Sequence, residues 1–120
     1  MTTKNRELLK HPPGVRAHLR IYINNAETRG IKFSLGVSEA LKLFGEDCHY
    51  CGKAPEERRF ATHNKKPYSV MLNGIDRKDP KEGYTVLNTV ACCKACNRGK
   101  NQLGYDEFLN MARSVAKRHP

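Results

Sequence analysis

The run Cys92-Cys93-Lys94-Ala95-Cys96-Asn97-Arg98-Gly99-Lys100 decides the reading of this chain, together with its upstream counterpart Cys48-His49-Tyr50-Cys51. Two cysteines separated by two residues offer two thiolates from one tight turn. Two such pairs complete the tetrahedral four-thiolate site in which zinc is structural and keeps no open position. Cys48, Cys51, Cys93 and Cys96 are therefore the expected zinc ligands. A disulfide framework is the competing reading of cysteines in a short chain. Met1 to Lys10 is polar and charged and lacks the apolar segment of an export signal, so a reducing, cytoplasmic compartment is expected. Paired spacings of this kind are metal sites there. Cys92 offers an alternative to Cys93 through a wider spacing, but the tighter spacing matches the first pair, and Cys92 reads as a small buried residue.

Working outward, composition creates the need for such a staple. The 120 residues are 38% hydrophobic and include no Trp, which gives one small domain with a thin core. Structural zinc contributes on the order of 10 kcal/mol of folding free energy, comparable with the whole stability of a small domain. Lys and Arg number 22 against 12 Asp and Glu, a net charge of +10 with a pI near 9.6, which favours a polyanionic partner. No apolar run is long enough to span a membrane. The closing helix is basic only at its end, so nucleic acid is preferred to a membrane surface.

Residues 1–14 read as a flexible basic arm ending at His11-Pro12-Pro13-Gly14, a strong breaker. Residues 15–120 read as one domain: a helical lead-in over 15–47, a zinc-stapled core over 48–104 and a C-terminal helix over 105–120. In the lead-in, Val15, Leu19, Tyr22, Ile23 and Ala26 share a helical face, and Gly30 provides the stop. Ile31 to Leu35 is a short extended stretch. Ser38 is the expected N-cap of a helix carrying Ala40, Leu41 and Phe44. Gly52 to Pro67 is charged, bounded by proline and without period, and reads as a loop. Ser69 to Asp76 is extended, with Asn73-Gly74 permitting a bulge or turn. After the polar excursion from Arg77 to Gly83, Thr89 to Cys92 forms a second strand and Cys93 to Gln102 a helix. Asp106 is the expected cap of the last helix, in which Phe108, Leu109, Ala112, Val115 and Ala116 share a face.

The resulting order of strand, loop, strand and helix gathers Asp76 at the end of one strand, Asn88 at the start of the next, and Asn97 in the first turns of the helix. An Asp carboxylate and an Asn carbonyl are hard oxygen ligands suited to Mg2+ or Mn2+, with positions left for water and phosphate. Such a metal site is distinct from the zinc.

At these residues the chain resembles the HNH endonucleases, or ββα-metal nucleases, especially their compact zinc-stapled phage and bacterial members. The resemblance lies in Asn73 to Asp79 (NGIDRKD), Gly83 to Asn88 (GYTVLN) and Cys92 to Lys100 (CCKACNRGK). Arg29 to Leu35, leading to Cys48 to Gly52, is similar to the family's lead-in. The ordered combination is far more specific than any one piece. It implies an α+β fold with a small ββα-metal core and a four-cysteine zinc site, flanked by N-terminal and C-terminal helices. It implies metal-dependent hydrolysis of DNA phosphodiester bonds, by nicking or double-strand cleavage, with Asp76 and Asn97 as ligands of the catalytic ion. Asn88 would orient the catalytic base and hold the loop, and Arg98, Lys100 and Lys78 would contact DNA.

One position departs from the family. The residue after Asp76 is usually the His that activates water, and here it is Arg77, whose guanidinium stays protonated at working pH. Arg77 is suited instead to clamp the scissile phosphate. His49, His63, Tyr68 and Asp79 are candidates for the base, with His63 in the catalytic set. The competing functions are a zinc-stapled DNA-binding module that has lost catalysis, and an interaction domain of a larger phage or mobile-element machine. Monomer and homodimer both remain open. For reading the major groove, the sequence offers the N-terminal helix with Arg16 and Arg20 and the basic end at Arg113 to His119.

Overall fold

The computed structural model describes Arg6, residues 10–62 and residues 65–120. In chain order the elements are α1 (Pro13–Thr28), α2 (Val37–Gly45), β1 (Glu56–Thr62), β2 (Lys65–Leu72), β3 (Gly74–Arg77), β4 (Thr89–Cys92), α3 (Lys94–Lys100) and α4 (Tyr105–Arg118). The strands form two separate antiparallel pairs, β1 with β2 and β3 with β4. The β3–β4 pair followed by α3 is the ββα unit. In its register Asp76 lies opposite Val90 and Arg77 opposite Thr89.

Helix α1 starts inside the stretch read as an arm, because Pro13 occupies the first helical turn, where a missing N–H costs nothing. It ends before Gly30, whose φ of 67° is the left-handed conformation that glycine adopts freely. The core joins Leu19 of α1, Leu35, Val37, Ala40 and Phe44 around α2, and Leu72 and Ile75 from the strands. Tyr22 also reaches inward and accepts the Ile75 N–H at 3.0 Å. A Cβ at Gly74 would collide with that hydroxyl, so only glycine lets strand and ring meet. The Ile31–Leu35 stretch is tied to the far loop by a single bridge, Phe33 to Tyr84, with Ser34 N–H donating to the Tyr84 carbonyl at 2.9 Å.

Three local expectations are corrected. Helix α2 is capped at Gly36, two residues before Ser38, because the Glu39 carboxylate reaches back to accept the Gly36 N–H at 2.8 Å. Helix α4 is likewise capped at Gly104 by Glu107 at 3.1 Å, which leaves Asp106 in the first turn. The charged stretch after Gly52 is no loop but the β1–β2 hairpin, with Arg58 opposite Val70 and Arg59 opposite Ser69. Its strandedness was obscured because Arg58 occupies an inward position beside Phe60, where its Nε donates to the Leu72 carbonyl at 3.1 Å. Strand β2 stops at Leu72, since Asn73 turns its backbone to α2. The Asn73 N–H donates to the Phe44 carbonyl at 2.8 Å and its side-chain amide to the Glu46 carbonyl at 2.9 Å.

His18 was not singled out by periodicity, yet it is buried in the core with its ring centroid 4.3 Å from that of Phe44. Its Nε2 bonds the Asn73 carbonyl at 3.0 Å. Burial pulls its pKa down from 6.5 to about 4, against the opposing pull of that hydrogen bond. The unfolded chain takes up this proton near pH 6.5 and the folded chain only near pH 4. Stability is therefore complete above pH 6.5 and falls as pH drops through that window, by about 3 kcal/mol from this residue. The thermal midpoint is expected to drop between pH 7 and pH 5 in the wild type and to drop less in His18→Gln, which keeps a donor for Asn73. Equal drops in the two proteins would remove His18 as the cause.

Candidate metal centre and cleft

Cys48 and Cys51 lie on the turn that precedes β1, whereas Cys93 and Cys96 flank the start of α3. The knuckle is fixed to the ββα unit because His49 N–H donates to the Ala91 carbonyl of β4 at 2.9 Å, while Gly52 N–H closes the turn on the Cys48 carbonyl at 2.9 Å. Gly52 has a φ of 80°, which that turn requires. Cys93 caps α3 with its sulfur, which accepts the Cys96 N–H at 3.4 Å. The four sulfurs lie within 4.8 Å of one another, and the Cys51 and Cys93 sulfurs are 3.6 Å apart. Zinc–sulfur bonds of about 2.3 Å in a tetrahedron put sulfurs roughly 3.8 Å apart, whereas a disulfide needs about 2.0 Å. The donor set thus fits a structural zinc, and among the described residues it is the only such cluster of His, Cys, Asp and Glu. Burial raises the Cys48 thiol, but N–H groups from Cys51, Cys93 and Tyr50 outweigh it, bringing the group from 9.0 down to about 7 and favouring the thiolate. Cys92 is outside the cluster, and burial, followed by the nearby Asp76 charge, pushes its thiol up.

Asp76 is 6% exposed and is held from two sides. Tyr50, from the zinc knuckle, donates to its Oδ2 at 2.6 Å. Burial, then the acceptor and charge of Asp76, raise the Tyr50 phenol, so it remains a donor. From the other side comes Lys100, whose Nζ is 3.3 Å from Oδ2 and 3.5 Å from Oδ1 and donates to the Arg77 carbonyl at 2.9 Å. Lys100 is 0% exposed, which corrects the expectation that it contacts DNA: α3 turns its last residue inward and the ammonium is spent on β3. The carboxylate retains lone pairs toward the cleft, since two oxygens offer about four acceptor directions.

Asp76, Arg77 and Asn97 line one open cleft of about 480 Å³. Among the described residues Asp76 is the only acid in its lining, which also includes Arg29, Arg58, Arg59, Arg77 and Lys94. Cations gathered around a lone carboxylate in a concave surface focus a positive potential on it. Arg77 is not wholly free for a ligand. Its Nη1 donates to the Pro80 carbonyl at 2.8 Å and the Glu82 carbonyl at 3.0 Å, and its guanidinium sits 5.3 Å over the Tyr84 ring. Asn88 holds the same excursion. Its Oδ1 accepts the Asp79 N–H at 3.0 Å, and its Nδ2 donates to the carbonyls of Gly83 at 2.9 Å and Asp79 at 3.1 Å.

The remaining expected site residues disperse. Arg98 is exposed on α3 and outside the cleft lining. Lys78 lies 6.0 Å over the Tyr105 ring and lines a different groove. Of the candidate bases, His49 bonds the Tyr105 hydroxyl at 2.7 Å, and Asp79 accepts the Lys81 N–H at 2.9 Å; neither lines the cleft. His63 lies outside the described residues, as does the side chain of Tyr68. Tyr50, Tyr84, Arg58 and Arg59 were missed as site residues. For the two arginines a signal existed in the alternation of Tyr68, Val70 and Leu72, which marks a strand and hence a partner strand across the turn.

No protein-family model matches the chain. Over 95 residues it is 32% identical to the uncharacterised protein R423 of Acanthamoeba polyphaga mimivirus, a match covering 79% of this chain and 16% of the mimivirus protein. The chain thus corresponds to a small part of that relative's length. Among solved structures it is similar to that of the rare-cutting HNH restriction endonuclease PacI, with a TM-score of 0.63 and 24% identity, over 87% of this chain and 78% of that one. No described helix is long and apolar enough to cross a membrane. The chain has an α+β, HNH-like ββα-metal fold carrying a four-cysteine cluster suited to zinc.

Proposed function

We propose that the chain is a metal-dependent DNA endonuclease of the HNH type, with Asp76 and Asn97 holding one divalent ion. The observation that carries this reading is the Asp76 carboxylate, nearly buried and oriented by Tyr50 and Lys100, in one cleft with Asn97 and five cationic residues. These are hard oxygen donors on neighbouring elements, the chemistry that Mg2+ or Mn2+ takes. When bound, the ion supplies Lewis-acid stabilisation of charge on the phosphate and the leaving oxygen. The protein's part is to position. Lys100 and Tyr50 fix the carboxylate, and Arg29, Arg58 and Lys94 attract the DNA backbone. Arg77 holds the loop at Pro80 and Glu82 while turning its remaining N–H groups to the phosphate. Cys93 and Cys96 would share a structural zinc with Cys48 and Cys51, which would tie the start of α3 to the knuckle, while Lys100 joins the end of the helix to β3.

Purified protein with Mg2+ or Mn2+ is expected to convert supercoiled plasmid to open-circle or linear DNA, and to do so in neither case once the divalent ion is chelated. Arg77→His is expected to lower the rate, because it removes both loop anchors. A large gain instead would mark this position as a damaged base. One observation favours a second reading, a DNA-binding module without cleavage: the usual His position is held by an arginine already bonded to two backbone carbonyls. That module would bind plasmid and leave it supercoiled with every metal.

A further inference from the structure

The β1–β2 hairpin is hydrogen-bonded to no other strand of the described residues and has two distinct faces. One face turns Arg58, Phe60, Val70 and Leu72 toward α1 and the core. The opposite face presents Glu57, Arg59, Ser69 and Met71, all exposed, with Met71 at 61%. The register sets Arg59 against Ser69 and Glu57 against Met71, so these side chains form one patch. Among the described residues no ion pair engages Glu57 or Arg59.

The composition of this patch differs from that of the cleft, with which it shares Arg59. A surface that merely grips phosphate needs cations, and the cleft has them. The outer hairpin face adds an acceptor, a hydroxyl and a large apolar side chain to one guanidinium. Those are the groups that distinguish bases in the major groove: Arg pairs with guanine, Glu accepts from cytosine, Ser serves either, and an apolar group meets the thymine methyl. The dimensions agree as well. Paired strands about 4.8 Å apart make a ribbon that the roughly 12 Å major groove of B-DNA admits. Residues two apart in a strand are roughly 6.8 Å apart, about two base-pair steps. The hairpin also adjoins the reaction site, since Arg58, Arg59 and Phe60 line the cleft that contains Asp76 and Asn97.

We propose that the outer face of the β1–β2 hairpin is the base-reading element of this chain, entering the major groove of a DNA duplex whose backbone crosses the Asp76 cleft, with Arg59 reading a guanine. This rests on the endonuclease reading for the identity of the duplex as substrate. It replaces α1 and the basic C-terminal end as the expected reading elements. Duplex RNA is excluded as the sequence-read partner, because its major groove is too deep and narrow for side chains to read.

The test is selection of bound duplexes from a random DNA pool in the absence of divalent ions, using the zinc-loaded wild type, Arg59→Ala and Met71→Ala, with zinc content and thermal midpoint confirming the fold. The wild type is expected to enrich a short motif. Arg59→Ala is expected to lose a guanine from it and to bind the motif about 10- to 100-fold more weakly. Its affinity for unrelated duplexes should change far less. If Arg59→Ala instead weakens all duplexes alike and lowers the salt slope by about 0.9, Arg59 is a phosphate contact and the proposal fails. It fails equally if the wild type enriches no motif, or if both variants enrich the same motif as the wild type. Plasmid cleavage by the wild type, run beside the selection with Mg2+ and Mn2+, separates the two readings. Cleavage without a selected motif overturns the hairpin alone, whereas absence of both cleavage and duplex binding overturns the endonuclease reading with it.

Discussion

Cys93→Ser is expected to abolish zinc binding and to leave the chain without a cooperative thermal transition. Cys93 is 0% exposed, supplies one of the four sulfurs, caps α3, and is the residue through which β4 passes into that helix. Structural zinc contributes about 10–16 kcal/mol in small domains, against a net stability of roughly 5–15 kcal/mol. Loss of the site therefore exceeds what the thin core around Phe44 and Leu19 supplies. The neighbouring Cys92→Ala is the informative contrast. That thiol is equally buried but lies outside the four-sulfur cluster, so the variant should keep its zinc and lose only about 1–2 kcal/mol of packing. Metal analysis and circular dichroism melts on both variants check this. A Cys93→Ser protein that melts like the wild type, or a Cys92→Ala protein without zinc, would overturn the ligand assignment.

The second large effect is expected at Asp76. Asp76→Asn should lower plasmid cleavage by more than the roughly 10- to 100-fold typical of residues that only support a metal ligand. A simple truncation confuses chemistry with folding here. Asp76 is the ion-pair partner of the fully buried Lys100, and leaving that ammonium uncompensated costs about 3–5 kcal/mol. The combined variant Asp76→Asn with Lys100→Met removes both charges. It is expected to recover most of the thermal stability that the single substitution loses while remaining inactive. Binding of Mn2+ measured by calorimetry should be lost in both proteins. Cleavage that returns with Lys100→Met would show that Asp76 acts through the fold rather than on the reaction.

The α3 helix shows why the two kinds of information part. That Asn97 follows a ligand pair and lines the same cleft as Asp76 is local: four residues of helix and a tight knuckle fix the placement once zinc is assumed. The order of β3, β4 and α3, and the buried character of Ile75 and Cys92, were legible for the same reason. Where Lys100 points was not. Three residues after Asn97 a lysine on a short helix has no sequence mark that says inward or outward, and the default for a long charged side chain is solvent. Only the arrival of the Asp76 carboxylate and the Arg77 carbonyl from β3 makes burial affordable.

The hairpin was hidden by the opposite effect. The charged residues of β1 and of the start of β2 gave the strong local signal of a solvated loop, so that only the end of β2 around Val70 and Leu72 read as extended, and Phe60 acquires meaning only once α1 offers a surface to cover. His18 and Tyr50 are similar cases, polar rings whose partners, the Asn73 carbonyl and Asp76, lie far along the chain. The sequence by itself determined the cysteine pairs, the ββα order and the positions of Asp76 on β3, Asn88 just before β4 and Asn97 on α3, because each rests on short spacings that constrain the backbone directly. The tertiary structure alone decided the inward turn of Lys100, the pairing of Arg77 with Pro80 and Glu82, and the ribbon carrying Arg59, because a buried charge or a paired strand exists only when a distant segment supplies the matching acceptor.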